Sequence, residues 1–194
     1  MSDAAAVAGV RDGLLAWLEA LGDAVLRLDE PVAVEYEATA LQHALDAEGR
    51  YPPVWVRQPR LADGRISPFG LVTNLTASRE LVCSALGLAD HRTAAAWWAG
   101  RQEHRVEPVA MPAEAAPVRE IVLAGDEVDL RLLPATVQHQ GNPGPYLTAA
   151  HATTCDPESG IDNSAIQRCW IKDARTMSWF PYPNSHNARN MRAW

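Results

Sequence analysis

The sequence predicts an α+β fold in two parts, a small α/β part over residues 1–115 and a mainly β part over 116–194. Three features predict it. Leu14, Trp17, Leu18 and Leu21 recur at helical spacing near the start. The stretch "RVEPVAMPAEAAPV", Arg105 to Val118, carries three prolines and little periodicity, which marks a linker. Beyond it, "YLTAAHATTCDP" and "NSAIQRCWIKD" have the alternation and the β-branched residues of strands, with glycine and proline between them.

Taken in order, the first helix is amphipathic and Gly22 stops it. "AVLRL" follows as a short strand. "YEATALQHALDAEG" is a second helix, with Leu41 and Leu45 one turn apart, Gly49 at its end and His43 at its surface or boundary. In "VWVRQPRLADGRISPFGLVTN" two β segments flank Asp63-Gly64, a dipeptide that supplies the positive φ of a tight turn, so a hairpin is expected. "SRELVCSALGL" is a helix in which Ser78 can cap free N–H groups and Glu80 sits near the positive end of the dipole. "TAAAWWAGRQ" is another. After the linker come "VREIVL" as a strand, a turn at Gly125-Asp126, "VDLRLLP" as a strand, the loop "QGNPGP", and two long strands. A last hairpin turns near Asp173-Ala174 inside "CWIKDARTMSWF".

A chain of 194 residues, 47% hydrophobic and 21% charged, can bury a sizeable core. Its net charge of -7, with 24 acidic against 17 basic side chains, argues against nucleic acid as a partner. The opening "MSDAAAVAGV" has no basic n-region, and no window reaches the roughly 18 apolar residues of a membrane span, so a cytoplasmic location is expected. Cys83, Cys155 and Cys169 are odd in number and lack C-x-x-C spacing, which suits packing thiols.

The run "DEVDLRLLP", then "GPYLTAAHATTCDPESG", then "NSAIQR", with a histidine some twenty residues on, resembles the UbiD family of reversible decarboxylases. The order and spacing of Asp129-Leu130, Leu133-Pro134, Tyr146, Asp156-Pro157, Gly160, Asn163 and Arg168 carry the resemblance. "LRLDEPVAVEYEATAL", "PPVWV" and "LVTNLTASRELVCSALGL" are similar to the small domain that precedes the family's flavin-binding split β-barrel. The resemblance thus implies the first part of that barrel over 116–194.

It also implies a cofactor, prenylated FMN, whose phosphate is held through Mn2+ or Mg2+, with K+ as a further candidate ion. The family binds the divalent ion with an asparagine oxygen, a histidine nitrogen and a glutamate oxygen; Asn163 matches the asparagine and His186 the histidine. From spacing alone Asn163 suits a turn residue after Gly160, and His186 a helix start. Ser185 stands where a polar neighbour touches the cofactor in relatives, and Ala165, Ile166 and Gln167 could present backbone groups to it. Relatives often carry an aromatic residue where Gln167 stands, so that contact is expected to differ. Arg168 is implied as catalytic, lying beside the flavin, pairing with an enzyme carboxylate and helping to hold the substrate carboxylate.

The implied reaction is non-oxidative, reversible decarboxylation of an aromatic, heteroaromatic or α,β-unsaturated acid through a covalent adduct with the prenylated flavin. Such a reaction leaves electrons on an sp² carbon, and a cofactor must accept them. Both catalytic glutamates, the third metal ligand and a C-terminal domain would follow Trp194. The chain is therefore read as an N-terminal portion, inactive alone, of an enzyme expected to be a homo-oligomer. Two alternatives stand beside this reading: a non-catalytic flavin-binding or assembly module on the same fold, and an oxidoreductase using plain FMN.

Overall fold

The structure, a computed structural model, describes residues 13–194 with the exception of Arg105 and Pro108. The expectation drawn from the opening ten residues lies outside that range. In chain order the elements are α1 (Leu14–Ala20), β1 (Leu26–Leu28), β2 (Val32–Ala33), α2 (Glu37–Ala47), β3 (Val54–Val56), β4 (Pro59–Arg60), β5 (Leu71–Thr73), α3 (Arg79–Leu86), α4 (Ala94–Gln102), β6 (Tyr146–Cys155), β7 (Asp162–Ile171), β8 (Met177–Ser178) and α5 (His186–Ala193), with short 3-10 turns between them. The fold is α+β. Two compact units result, and they do not follow a single cut of the chain. Of the described residues, one comprises 13–29, 44–57 and 71–125, the other 30–43, 58–70 and 126–194.

In the first unit β3 is the central strand, with β1 parallel on one side and β5 antiparallel on the other. Its core is the apolar stripe of α1 and the chain just after it. Trp17, Leu18, Leu21 and Val25 are buried and pack against Trp55, Val72, Leu75, Leu81 and Ala85. Arg27 folds back onto the end of α1, donating to the carbonyls of Gly22 at 2.5 Å and Leu18 at 3.0 Å, and so supplies donors that the last turn of a helix lacks. Gly22 does not end α1 alone: the helix tightens into a 3-10 turn, Gly22–Ala24, in which that glycine takes φ 55°.

Helix α3 has the N-cap the sequence predicts, and it ends at a glycine inside the predicted segment. Ser78 Oγ accepts from the Leu81 N–H at 3.1 Å, and Gly87 adopts the left-handed conformation at φ 68°. Ser78→Ala is expected to cost about 1 kcal/mol of stability, measurable as a lower denaturant midpoint with an unchanged slope. The expected strand "VREIVL" does not form. Pro117 opens a 3-10 turn, Pro117–Arg119, and Ile121 and Val122 remain exposed, with no strand beside them among the described residues. β-propensity without a partner ladder gives no strand.

In the second unit β2 pairs in parallel with β4, and Val137 donates its N–H to Val34 O at 3.1 Å. The Asp63-Gly64 turn is present: Gly64 has φ 86° and Leu61 N donates to Arg65 O at 2.8 Å. Its ladder is a single bridge, Arg60 to Ile66. The antiparallel pair that encloses it is β3 with β5, so the expected hairpin is realised by strands farther out. Pro59, without an N–H, is tolerated in the two-residue strand β4.

The expected strand "VDLRLLP" is replaced by a 3-10 turn, Leu130–Leu132. Asp129 caps it, accepting from Arg131 N at 3.0 Å, and its side chain also binds the Arg131 guanidinium at 2.8 Å. A short polar side chain that bonds its own following backbone competes with the sheet, and here it wins. That arginine holds the Asp129 carboxyl below the usual carboxylate range.

The main sheet is β6-β7-β8, all antiparallel. Asp156 shapes the β6–β7 connection, where its carboxylate accepts from Glu158 N at 3.1 Å and Ser159 Oγ at 2.6 Å. Gly160 then takes φ 68°, and its N–H reaches Asp156 O at 2.8 Å. Cys169 and Ile171 on one face of β7 are buried. The turn after β7 falls at Asp173, whose carboxylate accepts from the N–H groups of Arg175 and Thr176, each at 2.8 Å.

Candidate functional site

Side chains alternate along β7. Asn163, Ala165, Gln167, Cys169 and Ile171 share one face; Ser164, Ile166, Arg168 and Trp170 share the other. Arg168 is exposed and, among the described residues, makes no hydrogen bond or ion pair. Directly across from it β6 carries a bulge. Leu147 pairs with Cys169 and Ala150 with Gln167, so Thr148 and Ala149 together oppose Arg168. An extra residue at that point bends the strand and re-aims the side chains around it.

Arg168 borders an open groove of about 710 Å3. Tyr146, Trp170, Trp179, Phe180 and Tyr182 line it, with Gln138, Asn142, Thr148, Gln167 and Ser178 as polar groups, and Arg168 is the only charged side chain among its lining residues. The segments "HQGNPGPY" and "WFPYPNSHNARN" both contribute to it. Trp170 stacks on Tyr146 at 25° with ring centres 6.4 Å apart, and Lys172 Nζ lies 5.0 Å from the Trp170 ring. Gly144 makes room for this: a Cβ there would stand 2.6 Å from Trp170 Nε1. A guanidinium among five aromatic rings suits a planar, anionic ligand.

The main chain of β7 offers a second feature. Ile171 N donates to Pro145 O, and Asp156 N to Ile161 O, both at 3.0 Å. This aims the backbone groups of the odd-numbered residues at β6. Those of Ser164, Ile166 and Arg168 point to the opposite edge, where β8 pairs only with Trp170 and Ile171. Of Ala165, Ile166 and Gln167, therefore, Ile166 presents its N–H and C=O away from the β6–β7 ladder.

Asn163 lies near the start of β7, on the face opposite Arg168. Its Nδ2 donates to Asn187 Oδ1. Asn187 is 1% exposed, and the same oxygen accepts from Thr154 Oγ1 at 2.9 Å. His186 is the neighbouring residue, the first of α5, and it is exposed. Ser185 is the N-cap of α5 and accepts from Ala188 N at 3.2 Å. The sequence separates Asn163 from His186 by twenty-three positions (186 minus 163); the packing of α5 on β6 and β7 brings the residue beside His186 into contact with Asn163. Among the described residues no cluster of three or more His, Cys, Asp or Glu side chains could hold a metal ion.

Sequence reasoning missed Asn187, Thr154 and Asn190, because neutral amides and hydroxyls carry no motif of their own. It also missed Trp170, which stacks on Tyr146 in the groove. Burial pushes the pKa of the Cys169 thiol up, and the neighbouring Asp162 side chain, followed by burial, does the same to Cys155.

Residues 15–97 match the family model of the 3-octaprenyl-4-hydroxybenzoate carboxy-lyase N-terminal domain, and residues 110–194 that of the 3-octaprenyl-4-hydroxybenzoate carboxy-lyase Rift-related domain. The chain belongs to the UbiD family. Solved structures agree. The UbiD-class enzyme HmfF from Pelotomaculum thermopropionicum, an evolved dimeric form in complex with prFMN, is 26% identical, with a TM-score of 0.75 over 90% of this chain. Vanillic acid decarboxylase from Sedimentibacter hydroxybenzoicus, in its closed form, is 24% identical with a TM-score of 0.77 over 95%. The 3,4-dihydroxybenzoic acid decarboxylase of Klebsiella pneumoniae is 21% identical, with a TM-score of 0.74 over 91%. The last two show the fold. This UbiD-family chain spans 38%, 39% and 37% of the length of those three. No curated protein matches it. None of its described helices is long and apolar enough to cross a membrane.

Proposed function

We propose that this chain supplies the first half of the cofactor site of a UbiD-like decarboxylase, acting on an aromatic, heteroaromatic or α,β-unsaturated carboxylic acid. The observation that carries the reading is the guanidinium of Arg168, unpartnered among the described residues, in an aromatic-lined groove beside an open strand edge. Such a groove can hold a flat ring system, and the arginine can hold a carboxylate with two parallel hydrogen bonds.

The fit to a flavin nucleotide can be argued from β7. Asn163 and Arg168 lie five residues apart (168 minus 163), about 17 Å at roughly 3.3–3.4 Å per residue, and on opposite faces. A ligand that touches both must cross the strand edge at Ile166, where main-chain donors and acceptors point outward. Asn163 would then hold the phosphate end of such a nucleotide, and Arg168 would face its ring.

The phosphate end has a donor set to match. An amide oxygen from Asn163 and an imidazole nitrogen from His186 are ligands that Mn2+ or Mg2+ accepts together with phosphate oxygen and water. Asn187 Nδ2 is buried with no hydrogen-bond partner, a donor that an anionic group could satisfy. When bound, prenylated FMN would supply the electron sink for the carbon that loses carbon dioxide. Arg168 orients the substrate carboxylate; Trp170, Tyr146 and Phe180 exclude water from one side of the ring. Acid-base steps fall to groups outside these residues. The sequence-level division near residue 115, a split-barrel architecture for the later part, K+ as an additional ion and a homo-oligomeric whole protein belong to the same proposal.

Trp170 and Trp179 give a direct test. Adding FMN with Mn2+ to the protein is expected to quench tryptophan fluorescence saturably, and chelation of Mn2+ to reverse it. Fluorescence unchanged by FMN at any Mn2+ concentration would sink the assignment. For the whole enzyme the decisive measurement is carbon dioxide release from a panel of aromatic and acrylic acids after loading with prenylated FMN.

A further inference from the structure

The amide of Asn163 is best placed to serve a cation when its nitrogen bonds to the protein and its oxygen, with both lone pairs, is left free. What decides this is a short hydrogen-bond relay that starts at a main-chain carbonyl. Asn190 Nδ2 lies 3.3 Å from Thr154 O and 3.1 Å from Thr154 Oγ1. A carbonyl only accepts, so the amide of Asn190 must present its NH2 there, and that NH2 also donates to the Thr154 hydroxyl. Having accepted from Asn190, the Thr154 hydroxyl has its single hydrogen to give, and Asn187 Oδ1 at 2.9 Å receives it. Asn187 thereby shows its oxygen to the site, and Asn163 meets that oxygen with its Nδ2. The oxygen of Asn163 is what remains.

The opposite arrangement is costlier. If Asn187 were turned end for end, its NH2 would face Thr154 and Asn163. Asn163 would then spend its oxygen on Asn187. The Asn187 oxygen would be buried without a donor, and the Thr154 hydrogen would lose its acceptor, giving two unmade bonds. In the arrangement present only one buried group, Asn187 Nδ2, goes unpartnered. Each buried unpaired group carries a desolvation penalty, so the polarity of the relay is fixed by the count. Burial fixes its geometry too: Asn187 is 1% exposed and sits in α5 against β6 and β7.

We propose that Asn187 is a positioning residue of the ion site: it locks the carboxamide of Asn163 with nitrogen inward and oxygen free to ligate a divalent cation. The proposal rests on the reading of Asn163 as a ligand given above. It adds that α5 contributes to the site twice, through the imidazole of His186 and through the residue after it, which never touches the ion. Loss of a group that orients a ligand from behind typically lowers metal affinity about 10- to 100-fold.

The experiment is a Mn2+ titration in the presence of FMN, with free Mn2+ read by electron paramagnetic resonance, on the wild-type chain and three variants. Asn187→Leu keeps the bulk but removes the acceptor. It is expected to weaken Mn2+ binding by about 10- to 100-fold. Asn187→Asp keeps an acceptor toward both Thr154 and Asn163 and is expected to retain affinity within severalfold of wild type. Asn163→Ala removes the ligand itself and tests the underlying reading. In a 15N-labelled chain the side-chain NH2 of Asn163, identified by its absence from Asn163→Ala, is expected to exchange slowly in wild type and Asn187→Asp and quickly in Asn187→Leu. Loss of Mn2+ in Asn163→Ala with none in Asn187→Leu overturns the proposal alone. Equal affinity in wild type and Asn163→Ala overturns the ion reading and the proposal with it. Should Asn187→Leu fail to fold, Asn187→Asp decides, since a loss of ten-fold or more there would show that the acceptor is not what matters.

Discussion

Arg168→Lys is expected to lower turnover of the whole enzyme by about 100- to 1,000-fold while FMN and Mn2+ still bind, the scale found when one preorganised donor to a developing charge is removed. Lysine keeps the charge but loses the planar fork that can grip a carboxylate with two parallel bonds. The ammonium would also stand on a flexible stem, with no described partner to hold it opposite the Thr148–Ala149 bulge. Binding should survive because Asn163, the residue proposed to hold the ion, lies toward the other end of β7 and on its other face. Single-turnover decarboxylation on the loaded enzyme, alongside the fluorescence titration, separates the two effects. Unaltered turnover would make the arginine a solubilising strand residue.

Leu18→Ala is expected to destabilise the first unit by about 2–5 kcal/mol, the range for emptying a buried leucine site. Leu18 is fully buried, 0% exposed, in the stripe that α1 lays against Trp55, Val72 and Leu81. Its removal leaves a cavity in that cluster, which close packing keeps from collapsing fully. Guanidinium unfolding followed by tryptophan fluorescence should show an early transition in the variant. An Asn163→Ala chain should keep the wild-type transition, because Asn163 belongs to the other unit. A Leu18→Ala chain with the wild-type midpoint would show that α1 is not part of the core.

The residues themselves determined the local elements whose signals lie within one turn of helix or one hairpin. Ser78 and Gly87 mark both ends of α3, Gly64 and Gly160 supply positive φ where turns need it, and Asp173 turns β7 into β8. The order of Asp129-Leu130, Leu133-Pro134, Tyr146, Asp156-Pro157, Gly160, Asn163 and Arg168 likewise carried the family, because spacing along the chain is a property of the sequence itself. Where two local signals competed, the sequence misled: "VDLRLLP" has the composition of a strand, but Asp129 bonds its own backbone first, and "VREIVL" has β-formers without a ladder to join.

What only tertiary structure decided is everything that depends on which segments meet. No pattern in the chain foretells that residues 30–43 and 58–70 group with 126–194, since their strands are two residues long and are fixed by pairing partners far away in sequence. The bulge opposite Arg168 is a mismatch between two strands and cannot be read from either alone. The polarity of the Asn163 amide is set at Thr154 and Asn190, on another strand and a helix, and it exists only once α5 is docked. Sequence specifies which groups are available to bond; the direction in which each spends its single hydrogen or lone pair is settled by burial, which removes the water that would otherwise satisfy either choice.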